Sequence, residues 1–340
     1  MLLSVALLVL SLLIILFAAE AFTNGLEVLG RKFSFSQAVV GNVLAAVGTA
    51  LPETILPAVA ILLTGGASGK DIGVGAILGA PFMISTLAFF LVALAGLIRH
   101  LRKRSAFAIN VEPDSIRRDL LFFIPMYSMA IFVPLLTGRA FAIPIAVLLI
   151  AGYVTYVTLT VRGASATVEH LEGLHFFRVQ RWLGLNASDK PHLMLIVIQI
   201  IAALVVMVLG ARLFVRSLEH LCLTLGMSPL LFALILAPIA TEMPEKFNSI
   251  TWTMKGKDAL AIGNLTGAMV FQATFPVSVG LLFTEWKITS VALLSAIFAL
   301  ASASIVLVML LTKKRIPPAA LLLGGAFYCA YAVILILNLK

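Results

Sequence analysis

Gly48-Thr49-Ala50-Leu51-Pro52-Glu53 interrupts an otherwise apolar run from about residue 37 to residue 63. If that run crosses a bilayer, the Glu53 carboxylate sits near its centre, where a charged side chain costs roughly 2.5–3.5 kcal/mol, so an acid there points to function. The flanking residues supply ways to offset the cost. Pro52 has no N–H to give to the carbonyl of Gly48, four residues back. Thr49 and Glu53 are spaced i, i+4 and share a helix face. A freed carbonyl, a hydroxyl and a carboxylate converge, and hard oxygen donors of this kind suit Ca2+, Na+ or a proton.

The break occurs twice. Thr241-Glu242-Met243-Pro244-Glu245 repeats it at an offset of 192 residues. At the same offset Ala19, Phe22, Leu26, Glu27 and Ser36 fall on Ala211, Phe214, Leu218, Glu219 and Ser228. Matched Pro-Glu, Thr and Leu-Glu positions in apolar sequence indicate an internal duplication.

The composition fixes the class. Of 340 residues, 61% are hydrophobic and 11% charged, against about 25% charged in soluble domains. The reading is an all-α membrane protein with many spans. Its two cysteines, Cys222 and Cys329, lie in apolar runs and suggest packing rather than a disulfide framework or a metal site. The formal charge of +9 reports orientation in the membrane rather than nucleic-acid binding. The apolar start, Met1 to Ala21, lacks a basic leading segment and joins the repeat, so it reads as a retained first span.

At about 20 apolar residues per span, ten runs qualify: 2–22, 37–63, 72–98, 119–136, 140–161, 193–215, 228–254, 259–284, 288–311 and 317–338. The second, third, seventh and eighth are long enough to be tilted or broken. Basic residues cluster in alternate loops: Arg31 and Lys32; Arg99 to Arg118; Arg162 to Lys190; Lys255 and Lys257; Lys313 to Arg315. Strict alternation puts all five on the cytoplasmic side and both termini outside. The second and seventh spans then run in opposite directions. Residues 1–161 and 192–340 become inverted five-helix repeats joined by a cytoplasmic linker, 162–191, with two broken helices facing each other at the midplane. Secondary transporters are built this way.

These residues resemble the α-repeats of the calcium/cation antiporter superfamily, the sodium/calcium exchangers. That pattern is a Gly-Thr-Ser-x-Pro-Glu break followed by a Gly-Asn-x-x-Gly-Ser-Asn-type segment. Here Gly48 to Glu53 is followed by Gly75-Ala76-Ile77-Leu78-Gly79-Ala80-Pro81, and Ala240 to Glu245 by Gly263-Asn264-Leu265-Thr266-Gly267-Ala268-Met269. The resemblance implies an antiporter that exchanges Ca2+, or a similar divalent cation, for Na+ or H+ by alternating access. It implies that Glu53 and Glu245 are the shared carboxylates, that Thr49 and Thr241 are oxygen ligands, and that the first and sixth spans move against the rest. The sequence departs from the pattern at Ala50, Glu242, Ala76, Pro81 and Met269. Fewer neutral ligands and one added acid point to a smaller site, exchanging a divalent cation for protons or for fewer Na+ ions.

Each candidate has a plainer alternative. A structural Arg or Lys partner would explain Glu53 and Glu245, and we read no basic residue near either acid within its span. Two acids in a dry site repel when ionised, and a cation or protons relieve this. Glu242, i+3 to Glu245, shares its face as a third ligand, a proton acceptor or a rim acid. Thr49 and Thr241 have back-bonding to their own helices as the alternative. Asn264 is a candidate ligand, and Gln272 reads as glue between helices. The five histidines lie in loops or at span ends and form no metal cluster. Trp182, Trp252 and Trp286 read as interface anchors.

No resident cofactor is implied, and the partners are the lipid bilayer and the exchanged ions, not nucleic acid. Two other classes stand beside the antiporter. An organic-solute transporter would need apolar and aromatic walls around its site. A membrane enzyme would need intramembrane Asp pairs or a nucleophile–base set, whereas Asp71, Asp114, Asp119, Asp189 and Asp258 fall in loops or at span starts. The sequence leaves open the coupling ion and whether the chain is a monomer or a homo-oligomer.

Overall fold

The computed structural model describes residues 2–33, 46–103, 109, 111–163 and 193–338. The side chains of residues 31, 46–49, 103, 161–163, 244, 245 and 338 also fall outside the description, as does nearly all of the 162–191 linker. Among the described residues the chain is all-helical. A single β-bridge pairs Ile109 with Ile316. The helices are α1 Leu2–Lys32, α2 Ala46–Val59, α3 Gly66–Met83, α4 Phe89–Lys103, α5 Pro113–Thr137, α6 Ala142–Gly163, α7 Leu193–Leu225, α8 Pro229–Met254, α9 Asp258–Gln272, α10 Phe275–Phe283, α11 Ser290–Lys313 and α12 Pro318–Asn338.

Seven stretches of the described residues are long and apolar enough to cross a membrane, and one of them, Pro113–Thr160, holds both α5 and α6. Ala50–Thr64 and Pro229–Met243 are shorter apolar helices. The long runs are irregular. α2 carries Pro52 and Pro57 and passes into a π-helical turn, Ala60–Thr64. It stops at Gly65 and Gly66, whose φ values of +71° and +73° favour glycine. A second π-helical turn, Ile84–Ala88, joins α3 to α4. The eighth run divides at Ala273–Thr274, and Pro276 opens α10 where its missing N–H costs nothing.

Lipid tails are as apolar as leucine, so close packing and polar contacts hold such helices together. Gly75 and Gly79 line the side of α3 that meets α8, where a Cβ on either would collide with the carbonyls of Leu230 and Leu234. α1 and α7 form a pair, tied by Gln199, whose Nε2 donates to Ala21 O at 2.8 Å and to Asn24 Oδ1 at 3.1 Å.

Two large buried apolar clusters and a small one, Val28 with Ile196, result among the described residues. One combines Ala18, Ala19 and Phe22 of α1 with Ala211, Phe214 and Leu218 of α7 and with Ile55, Leu56, Ala237 and Ala240 from the neighbourhood of the two breaks. The repeat-matched pairs Ala19/Ala211 and Phe22/Phe214 therefore meet in one core. The larger cluster joins α3 to α6 with α9 to α12.

Two readings change on the structure. Trp286 is buried, and its Nε1 donates to Ala130 O at 3.1 Å, so it is a packing residue and not an interface anchor. Arg99, read as a loop charge, forms a bidentate pair with the buried Asp258 at 2.6 and 2.9 Å and also donates to Thr253 O. Asp119 is likewise buried, accepting from Tyr156 at 3.1 Å and from Thr266 at 2.6 Å. Both acids are satisfied ties between helices, as buried polar groups must be.

Candidate ion site at the two helix breaks

In the first repeat the break lies within α2. Pro52 brings no N–H to the carbonyl of Gly48, and Pro57 brings none to that of Glu53. Two carbonyls thus lack their in-helix donor on either side of the acid. Glu53 is buried, at 6% exposure. Its Oε2 accepts a hydrogen bond from Gln272 Nε2 at 2.5 Å. Gln272 is the last residue of α9, so the helix break at Ala273–Thr274 delivers this amide to the first repeat's acid. Its other atom, Oε1, is buried and finds no hydrogen-bond partner among the described residues. An orphaned carbonyl oxygen beside a carboxylate is an oxygen-donor pair of the kind that suits a hard cation.

The second Pro-Glu motif lies within α8, which, unlike the broken helix expected from the sequence, runs as one continuous helix from Pro229 to Met254. Thr241 is buried and its hydroxyl donates to Ala237 O at 3.1 Å, leaving its oxygen lone pairs as acceptors. Glu242 is fully buried. One turn further on stands Lys246, also buried at 1% exposure, with its Nζ 3.5 Å from Glu242 Oε2. This overturns the expectation that no basic residue lies near the acids within their spans. The ammonium is at the centre of the second break, immediately after Glu245 in the chain.

The sequence candidates therefore separate. Glu53, Thr241 and Glu242 are buried at the two breaks. The side chains of Thr49 and Glu245 lie outside the described residues; helix register sets Thr49 one turn before Glu53 and Glu245 in the same turn as Glu242. Asn264 is exposed, and its Oδ1 accepts from Ser249 of α8 at 3.4 Å. Gln272, two turns along the same helix, is the amide that bonds to Glu53. Lys246 is the residue that the sequence reading passed over, and Gln272, read as glue between helices, does join α9 to Glu53 of α2. Both left a signal: Glu242 and Lys246 are spaced i, i+4, and Gln272 is the amide next to the break in its run.

Among the described residues no group of three or more His, Cys, Asp or Glu side chains forms a metal cluster.

The sequence profile described as "Sodium/calcium exchanger protein" matches residues 3–162 and 195–340. The chain belongs to this exchanger family. Two relatives span most of their own length with it. The inner membrane protein YrbG of Escherichia coli (strain K12) is 25% identical over 311 residues, covering 88% of this chain and 89% of the relative. The membrane protein MJ0091 of Methanocaldococcus jannaschii is 22% identical over 290 residues, covering 83% of each.

Among solved structures, an H+/Ca2+ exchanger, CAX, superposes with a TM-score of 0.73 at 18% identity, covering 99% of this chain and 86% of that one. The sodium-calcium exchanger NCX_Mj gives 0.59 at 21% identity, covering 100% and 99%. The exchanger fold is thereby established, and with it the all-helical membrane architecture.

Proposed function

We propose that the chain is a secondary antiporter that exchanges Ca2+, or a similar divalent cation, for Na+ or H+. The observation that carries this reading is the buried Glu53 carboxylate beside the orphaned Gln272 carbonyl oxygen, at a break in one repeat, with acids at the matching break of the other. The transport site comprises Glu53, Glu242 and Glu245, with Thr49, Thr241 and Gln272 as neutral oxygen ligands. Asn264 stands apart from it. Two structural neighbours are exchangers of Ca2+ with H+ and of sodium with calcium, which supports the same class of cargo.

The mechanism is competition. Carboxylates held together in a water-poor space repel one another when ionised, and a divalent cation, monovalent cations or protons each relieve that repulsion. Occupancy by one species excludes the others. Exchange is coupled when the empty, charged site does not reorient and the filled site does. The α1–α7 pair, in one apolar cluster with the side chains next to both breaks, is the element whose movement would open the site to either side. The chain sits in the cell membrane with both termini outside, as the basic loops favour.

The test is uptake of radioactive Ca2+ by proteoliposomes under an imposed Na+ or pH gradient. Uptake against its own gradient, driven by one of the two, supports antiport. Leak that ignores both gradients contradicts it.

A further inference from the structure

We propose that Lys246 is a resident cation of the transport site, a tethered positive charge that fills the place of one transported monovalent ion and thereby sets how many ions are exchanged. This rests on the antiporter reading above and goes beyond it by assigning the coupling ratio to one side chain.

The argument starts from where the charge sits. Lys246 is 1% exposed and Glu242 fully buried, and their charged groups lie 3.5 Å apart within the helix that carries the second Pro-Glu break. Bringing an ammonium into such a place costs several kcal/mol, which the partner carboxylate repays in part. A helix built only to span a membrane does without both residues. Here the pair occupies α8 one turn apart and brackets Glu245.

Two other buried networks among the described residues differ from it. Arg99–Asp258 and Asp119–Tyr156–Thr266 join separate helices with short, geometrically matched hydrogen bonds, as structural ties do. The Glu242–Lys246 contact lies within one helix and is longer, at 3.5 Å. It is placed for charge balance more than for docking.

The count follows from the residues. Three carboxylates, Glu53, Glu242 and Glu245, and one ammonium, Lys246, leave two net negative charges. One divalent cation or two monovalent cations neutralise them equally. The wild-type site then carries no net charge across the membrane in either half of its cycle. Without Lys246 three negative charges remain. A divalent cation leaves one uncompensated, and three monovalent cations are needed to fill the site.

Lys246→Gln and Lys246→Arg in proteoliposomes, with the membrane potential clamped, test this directly. Wild type and Lys246→Arg are expected to exchange two monovalent charges per divalent cation, with flux insensitive to the potential. Lys246→Gln is expected to exchange three, with flux that depends on the potential by one charge per cycle. A wild type that moves net charge, or a Lys246→Gln variant that exchanges as wild type does, overturns the proposal.

If Lys246→Gln proves inactive, equilibrium binding of Ca2+ and Mn2+ to the purified chain in detergent decides. Removing the competing ammonium should tighten divalent binding by about tenfold or more, equivalent to about 1.4 kcal/mol. Unchanged or weaker binding, the outcome of a purely structural ion pair, overturns it. A wild type that binds Ca2+ or Mn2+ without gradient-driven exchange brings down the antiporter reading and leaves this binding comparison decisive for Lys246. A wild type that binds neither overturns both.

Discussion

The two halves of the molecule each bury an acid beside a Pro-Glu motif and treat it differently. In the first break Glu53 receives a neutral amide from Gln272, a partner 219 residues away on α9. In the second, Glu242 receives an ammonium from Lys246, four residues away on its own helix. The Gln272 amide supplies a hydrogen bond and no charge, whereas Lys246 supplies charge. At the 192-residue offset Glu242, Lys246 and Gln272 fall on Ala50, Thr54 and Ala80, so the two regions differ at each residue that makes this contrast. The first break presents a carboxylate and an orphaned carbonyl oxygen to an incoming cation. The second sets the charge against which that cation is counted.

This contrast can be broken at several points. The largest effect is expected at Glu53. Glu53→Gln keeps the shape and removes the charge, so divalent exchange in proteoliposomes should fall at least about a hundredfold, the equivalent of about 2.8 kcal/mol. Thermal unfolding in detergent should change little, because the isosteric amide still bonds to Gln272. Exchange at a wild-type rate would show that the two breaks are not divided in this way.

Next comes Glu242→Gln, which should lower stability as well as divalent exchange. It strands the Lys246 ammonium in a buried place, a change that typically costs 3–5 kcal/mol. A marked drop in the unfolding temperature is expected, relieved when Lys246→Met is added to remove the stranded charge. A single variant as stable as wild type would mean that the pair is not buried in the membrane as described.

Gln272→Leu should be milder. It removes the donor to Glu53 and the carbonyl ligand, and about a tenfold rise in the Kd for divalent cations is expected from titration of the purified protein. The smallest effect belongs to Asn264→Ala. Because Asn264 is exposed and bonded to Ser249, the Kd should stay within about twofold. A loss as large as that of Gln272→Leu would place Asn264 in the site after all.

Much of the fold was legible in the sequence because the physics behind it is local. Apolar length marks spans, proline marks a break, and an offset of 192 residues between two Pro-Glu pairs marks a duplication. The site was legible only in part. Gln272 reaches Glu53 because α9 stops at that residue, and the proline that follows the break, Pro276, lies beyond it within α10. The exact stopping point depends on packing rather than on turn chemistry. Asn264 carries the family-like amide but bonds to Ser249 of α8, since the phase of a helix about its axis is set by neighbours. Lys246 was visible in the sequence all along, yet a scan that assigns basic residues to loops overlooks one inside a span. Arg99 and Asp258 are 159 residues apart, and nothing local signals that they meet.

The central claim is that one cation is held jointly by the two breaks. Anomalous diffraction from crystals of the protein soaked in Sr2+ tests this most directly. The account predicts one strong peak, bonded at roughly 2.3–2.6 Å to a Glu53 oxygen and to at least one oxygen of α8. A peak bonded to one break alone, or found elsewhere in the molecule, would contradict it.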